Sequence, residues 1–204
     1  FGVGRVEGGS VGEVIVSGAI IGGQLDLSGA ELNGEADEHG IAQGSLSALS
    51  VKVGAGMFLR SANARGMVNL SSANIIGQLD LQHSRLERGV DKEAGAQWAL
   101  IAQGVKVGQD LFLRNAYSKG PISLSGARIG GQLSCRDARI DASNPEDQES
   151  QTSLQAQGIE VGESVTLGAA VFTGTVDLTG ASISGQLDFE AASLDGCKDT
   201  DDVE

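Results

Sequence analysis

Apolar residues recur along this chain in a short, fixed rhythm. Stepping back from Leu79 by 11 gives Val68, Met57 and Leu46, and two positions on, Leu81 gives Leu70, Leu59 and Ala48. A third lane runs Ser84, Ala73, Ala62, Val51, and a fourth runs Leu86, Ile75, Ala64, Val53. Each unit reads apolar-x-apolar-x-x-small-x-apolar-x-x-x, with glycine common at the tenth place. The opening alternation predicts a short strand with one buried face. The small residue and the next apolar one form a second inward pair, across a turn such as Leu27-Ser28-Gly29-Ala30.

A longer period encloses the short one. Gly23-Gln24-Leu25-Asp26-Leu27 returns as Gly77-Gln78-Leu79-Asp80-Leu81, Gly131-Gln132-Leu133-Ser134-Cys135 and Gly185-Gln186-Leu187-Asp188-Phe189, always at the same spacing. Units begin at 14 and 25; at 46, 57, 68 and 79; at 100, 111, 122 and 133; and at 154, 165, 176 and 187, with a weak one at Val3. Three insertions of equal length fall near 36–45, 90–99 and 144–153, so the long period is four units plus one loop.

Strands this short cannot bury an apolar face alone, but stacked coils can. The spacing predicts an all-β chain: a parallel β-helix, or solenoid, of about 22 residues per coil and roughly seven coils. At about 4.8 Å per coil the rod is roughly 35 Å long. The crossover rule favours a right-handed coil without the sequence fixing the hand, and the three loops, two coils apart, leave one edge. The organisation expected is a single solenoid domain over 1–197, with super-repeats about 1–45, 46–99, 100–153 and 154–197, followed by an acidic tail, 198–204. Small inward residues (Ala19, Ala30, Ala73, Ala127, Ala181) imply a core too narrow to admit a ligand.

Composition narrows the chemistry. With 27 acidic against 14 basic residues the formal charge is −13, which argues against holding nucleic acid or anionic lipid on a basic surface. No apolar run is long enough to span a bilayer, so no membrane insertion is expected. The chain begins at Phe1 without a methionine or a basic-then-apolar leader, which reads as an excised or processed chain. The repeat also runs close to both ends without an evident cap, so open strand edges are expected there.

Candidate catalytic and ligand residues mostly have plainer readings. His39 and His83 lie in an insertion and at an outward position, with no cysteine or second histidine at ligand spacing, so no metal site is expected. The serines occupy turns, and no Ser-His-Asp arrangement emerges. Gly22-Gly23 and Gly130-Gly131 read as corners, because no Lys-Ser/Thr and no helix follow them. Cys135 replaces a leucine in an inward lane and Cys197 lies towards the tail, which fits a reducing compartment such as the bacterial cytoplasm. No catalytic residue, cofactor or metal is assigned, and the chain reads as a non-enzyme.

One face carries a pattern of its own. Asp26, Asp80 and Asp188 hold an outward lane, Phe58 and Phe112 fill coils between them, and Arg60, Arg114 and Arg136 occupy the next outward lane. The nearest two of the aspartates, two coils or about 10 Å apart, are too far apart for most acid–base pairs. This ladder is either a solvated sheet with cross-strand charge pairs or a recognition strip with two exposed phenylalanines. The insertions carry Asp37 and Glu38, Asp91 and Glu93, then Glu146, Asp147 and Glu149, an acidic comb suited to a basic partner or to cations.

Val176-Asp177-Leu178-Thr179-Gly180 followed by Ala181-Ser182-Ile183-Ser184-Gly185 reads as two successive pentapeptides, as does Leu25 to Gly29 followed by Ala30 to Gly34. The chain resembles the pentapeptide-repeat proteins of bacteria, with one residue added after each pair. It also resembles bacterial proteins of unassigned activity that repeat Ile-Gly-Gly-Gln-Leu-Asp, here Ile21 to Asp26 and Ile129 to Leu133. The resemblance spans nearly the whole chain and implies a right-handed β-helix of four-sided section.

Three readings of function follow. The first is a structural scaffold, whose partners are its own copies, neighbouring segments of a longer chain, or a protein with a basic surface. The second is implied by the resemblance: an acidic rod that mimics DNA and binds a type II topoisomerase. The third is a surface adhesin that captures its ligand through Phe58 and Phe112.

Overall fold

The computed structural model describes residues 12–34, 44–90, 97–143 and 152–195. The unit at Val3, His39, Cys197, the acidic residues of the insertions and the tail 198–204 lie outside them. Four parallel seven-stranded sheets close into a four-sided solenoid of seven coils, together with one two-stranded antiparallel pair. Face 1 runs from Val14–Ile15 to Thr175–Asp177, face 2 from Ile20–Ile21 to Ser182–Ile183, face 3 from Leu25–Asp26 to Leu187–Asp188, and face 4 from Glu31–Asn33 to Ser193–Asp195. The coils span residues 14–33, 44–65, 67–87, 100–119, 122–141, 152–173 and 175–195.

Register reproduces the arithmetic of the sequence. Asn74 pairs with Lys52 and Leu79 with Met57, two units back, whereas Asn74 also pairs forward with Lys106, across two units and an insertion. The extra length leaves between faces 4 and 1, before coils 2, 4 and 6, so all three insertions share one corner. The second of them leaves and returns through the antiparallel pair Gly89–Val90 and Gln97–Trp98.

Each unit makes two sides of the coil, with a different corner at each end. Inside the unit, the sixth residue's N–H bonds to the third residue's carbonyl, as Ala30 N to Leu27 O at 3.1 Å and Ala73 N to Leu70 O at 3.0 Å. The fifth residue has positive φ in every described unit, from 53° at Ser50 to 71° at Gly18. That is the pattern of a type II turn, which favours glycine or asparagine there. His83, Ala169 and Ala191 occupy it at φ 56°, 54° and 55°.

The other corner, between faces 2 and 3, has glycine at the ninth place in five of the seven coils and at the tenth in four. A Cβ at Gly130 would collide with the carbonyl oxygen of Gly108 in the coil below, and one at Gly162 with that of Gly130. At these glycines the carbonyl of the coil below leaves no room for a Cβ, whereas coils 3 and 7 carry Ile76 and Ser184 at the same place.

Inward lanes fill the core. Leu46, Val68, Leu100, Ile122 and Leu154 are all fully buried along face 1, and each leucine-sized side chain withdrawn from water contributes about 1.5–3 kcal/mol. Cover thins at the end coils, where Val14, Ile21, Val176, Ile183 and Phe189 are only partly buried and Leu187 and Leu194 are exposed.

Candidate functional site

Face 3 brings the ladder residues together as lanes. Asp26 pairs with Phe58, Phe58 with Asp80, and Asp80 with Phe112. Beyond Phe112 the lane continues through Ser134 and Thr166 before Asp188, so the Asp–Phe alternation ends at coil 4. Arg60 and Arg114 follow in the next outward lane, each over the phenylalanine of its own coil, with Cζ 4.6 Å from the ring centroid.

Two expectations need correction. The phenylalanines point outward, but they are half-buried beneath arginine rather than exposed. Asp80 is outward-directed yet its side chain is 0 % exposed, because rings stand above and below it in the lane. Its cation is Arg60, whose Nε donates to Asp80 Oδ2 at 2.5 Å. Gln82 donates its backbone N–H to Oδ1 at 3.0 Å and its Nε2 to Oδ2 at 3.1 Å. A covered carboxylate is tolerated only when paired and hydrogen-bonded in this way. One super-repeat on, Arg114 Nε donates instead to the neutral Ser134 Oγ at 2.9 Å.

Aspartates at the second place of a unit, Asp177 on face 1 as well as those of face 3, share a local task that the sequence reading missed. Each accepts the N–H two places ahead: Ser28 N to Asp26 at 2.9 Å, Thr179 N to Asp177 at 2.9 Å and Glu190 N to Asp188 at 2.8 Å. This Asx turn sets up the corner that follows, and Asn69 does the same for Ser71 at 3.0 Å. The hydroxyl and the N–H of Ser28 hold the Asp26 carboxyl below its ordinary range, with Arg60 adding attraction. The signal available in the sequence was Asp or Asn two places before the turn.

The isolated candidates behave as side chains of the repeat. Cys135 is fully buried, and burial pushes its thiol up to about 12. His83 occupies the left-handed turn position and faces solvent. Among the described residues no three His, Cys, Asp or Glu side chains come together as a metal-holding group, and no helix is long and apolar enough to cross a membrane.

Surface concavities lie outside the core. A groove of about 830 Å³ runs along face 2 beside Ile76, Lys106, Arg128 and Glu160. A smaller one of about 490 Å³ lies at the glycine corner beside Asp26, Phe58 and Arg60.

Charge is sorted along the rod. Among the described residues, all eleven Lys and Arg lie between positions 44 and 143, in or beside coils 2–5, against five acidic residues there. Coils 6 and 7 carry Glu160, Glu163, Asp177, Asp188, Glu190 and Asp195 with no basic residue. The described segments together hold a net charge of −3, so most of the −13 belongs to the insertions and the tail. An arginine–glutamate pair, Arg128 Nε to Glu160 Oε2 at 3.2 Å, joins the basic belt to the acidic end.

No protein-family model matches the chain, and no curated protein matches it. Among solved structures it is similar to HetL, a pentapeptide repeat protein involved in heterocyst differentiation regulation from the cyanobacterium Nostoc sp. strain PCC 7120. The two share 17 % sequence identity over 90 % of this chain and 86 % of HetL, with a TM-score of 0.26. The topology by itself defines the chain as a repeat protein with a four-sided parallel β-solenoid fold.

Proposed function

We propose that the chain is a non-enzymatic scaffold that holds its three acidic insertions in a row for a partner with a basic surface. The observation that carries this reading is the shared corner: each insertion leaves between faces 4 and 1 at two-coil intervals, while register resumes unchanged in the next coil. Two coils set the attachment points about 10 Å apart. Acidic segments attached at fixed intervals along one rod engage an extended cationic partner multivalently, because the first contact raises the effective concentration of the others.

Titration with an oligolysine peptide at low salt, read by calorimetry, tests the reading. Neutralising Asp37, Glu38, Asp91, Glu93, Glu146, Asp147 and Glu149 to their amides is expected to abolish binding, while neutralising only the tail leaves it intact. Binding that survives in the insertion variant and disappears in the tail variant overturns it.

A second reading is supported by the thin cover of the end coils, where Leu187 and Leu194 are exposed in inward lanes. Such thinly covered edges accept a further coil, from a longer chain or from another copy stacked on the edge. Copies stacked edge to edge in this way would show, by light scattering across a wide concentration range, a mass that grows without a limit. A mass that stays constant sinks the stacking of copies.

A further inference from the structure

Face 2 and its glycine corner carry two exposed apolar side chains, Ile20 and Ile76, beside a line of charged residues. One outward residue per coil runs Ile20, Lys52, Asn74, Lys106, Arg128, Glu160, Ser182. Ile20 is 78 % exposed. The adjoining corner is glycine at positions 22, 54, 108, 130 and 162, but in coil 3 it is Ile76, 61 % exposed. An apolar knob therefore stands on a corner that is glycine in five coils and Ser184 in coil 7, beside the groove along Gly108, Gly130 and Gly162.

We propose that face 2 is a self-association surface, on which two copies pack antiparallel about a two-fold axis through coil 4. Such an axis, lying in the interface across both rods, reverses the order of coils and keeps matching lanes opposite one another. Coil 3 then meets coil 5, which seats Ile76 against the bare corner at Gly130. Coil 2 meets coil 6, which sets Lys52 opposite Glu160, and coil 1 meets coil 7, which covers Ile20 with the Ser182 strand. Charge selects this arrangement. A parallel pairing brings each coil against itself, Lys52 on Lys52 and Glu160 on Glu160, whereas reversal sets cation against anion and repeats the Arg128–Glu160 match already present within one chain. Lys106 alone meets its own copy on the axis.

Sedimentation equilibrium of the full chain, at low and high ionic strength, tests the proposal. The expected result is a monomer–dimer equilibrium that saturates at two copies and weakens with salt. Ile76→Asp puts a carboxylate at the apolar anchor and raises the dissociation constant about tenfold or more. Lys52→Glu weakens the dimer, adding Glu160→Lys restores it, and Lys106→Ala tightens it. The four substituted side chains are all exposed, so folding is not at stake. A monomer at every concentration overturns the proposal, as does a dimer indifferent to Ile76→Asp. Growth beyond two copies that ignores Ile76 belongs to edge stacking and equally overturns it.

Discussion

Arg60 lies over the ring of Phe58 and donates from Nε to Oδ2 of Asp80, 2.5 Å away, closing over a carboxylate that has no exposure of its own. The equivalent arginine one super-repeat on, Arg114, meets a serine hydroxyl instead. The two sites share a ring and a guanidinium and differ in whether a charge is covered.

That difference predicts unequal costs. Arg60→Ala leaves a covered carboxylate without its cation and is expected to destabilise the fold by about 2 kcal/mol, below the range for fully buried pairs because Arg60 itself is half exposed. Arg114→Ala is expected to cost about 1 kcal/mol, since the hydrogen bonds to the neutral Ser134 and Gln132 and the ring contact are lost but no covered charge is left behind. Urea unfolding of the two variants reads the contrast directly, and equal costs would refute it.

Left-handed turn positions offer room for improvement. Ala169 and Ala191 sit at φ 54° and 55°, where a Cβ costs about 1 kcal/mol or more. Replacing either with glycine is expected to raise the melting temperature despite the extra freedom of the unfolded chain. Gly126→Ala, at φ 65°, is expected to lower it.

Glycines with and without a neighbouring coil against them should respond unequally to a methyl group. Gly130→Ala drives a Cβ into the Gly108 carbonyl, while Gly23→Ala meets nothing within 4 Å. Shifting backbone to make room costs about 1–3 kcal/mol, so Gly130→Ala should unfold at markedly lower urea and Gly23→Ala near the parent midpoint.

Cys135 gives the fold a sensitivity to alkali. Its thiol is raised from 9.0 to about 12 by burial. Between those values the unfolded chain has released the proton and the folded chain retains it, so stability falls as pH rises, by up to about 1.4 kcal/mol per unit. Cys135→Ala removes this contribution, and the difference between the two proteins' stabilities should shrink steadily from pH 9 upward. A native protein that reacts with a thiol reagent at pH 8 as fast as an unfolded one contradicts the burial.

The coil was legible in the sequence because its cause is local. Hydrophobicity at the first, third, sixth and eighth places of each unit decides which side chains face inward, and Leu79, Leu81, Ser84 and Leu86 are all buried in that order. The pairing of Asn74 back to Lys52 and forward to Lys106 follows from the same count, since an insertion at a corner adds length without moving the lanes.

Exposure in the outward lanes was decided elsewhere, by residues one coil above and one coil below. Asp26 and Asp80 hold the same place in their units, but Asp80 alone has a ring on both sides, and only it is covered. The task of Asp at that place, capping its own turn, lies in a hydrogen bond that composition does not reveal. The total of −13 likewise hid a basic belt, because net charge sums over positions that the stack places coils apart. Inward or outward is set by the chain's own alternation, so the sequence determined the solenoid. What each outward side chain meets is set by neighbours a full coil away along the chain, and only the stacking of coils decided that.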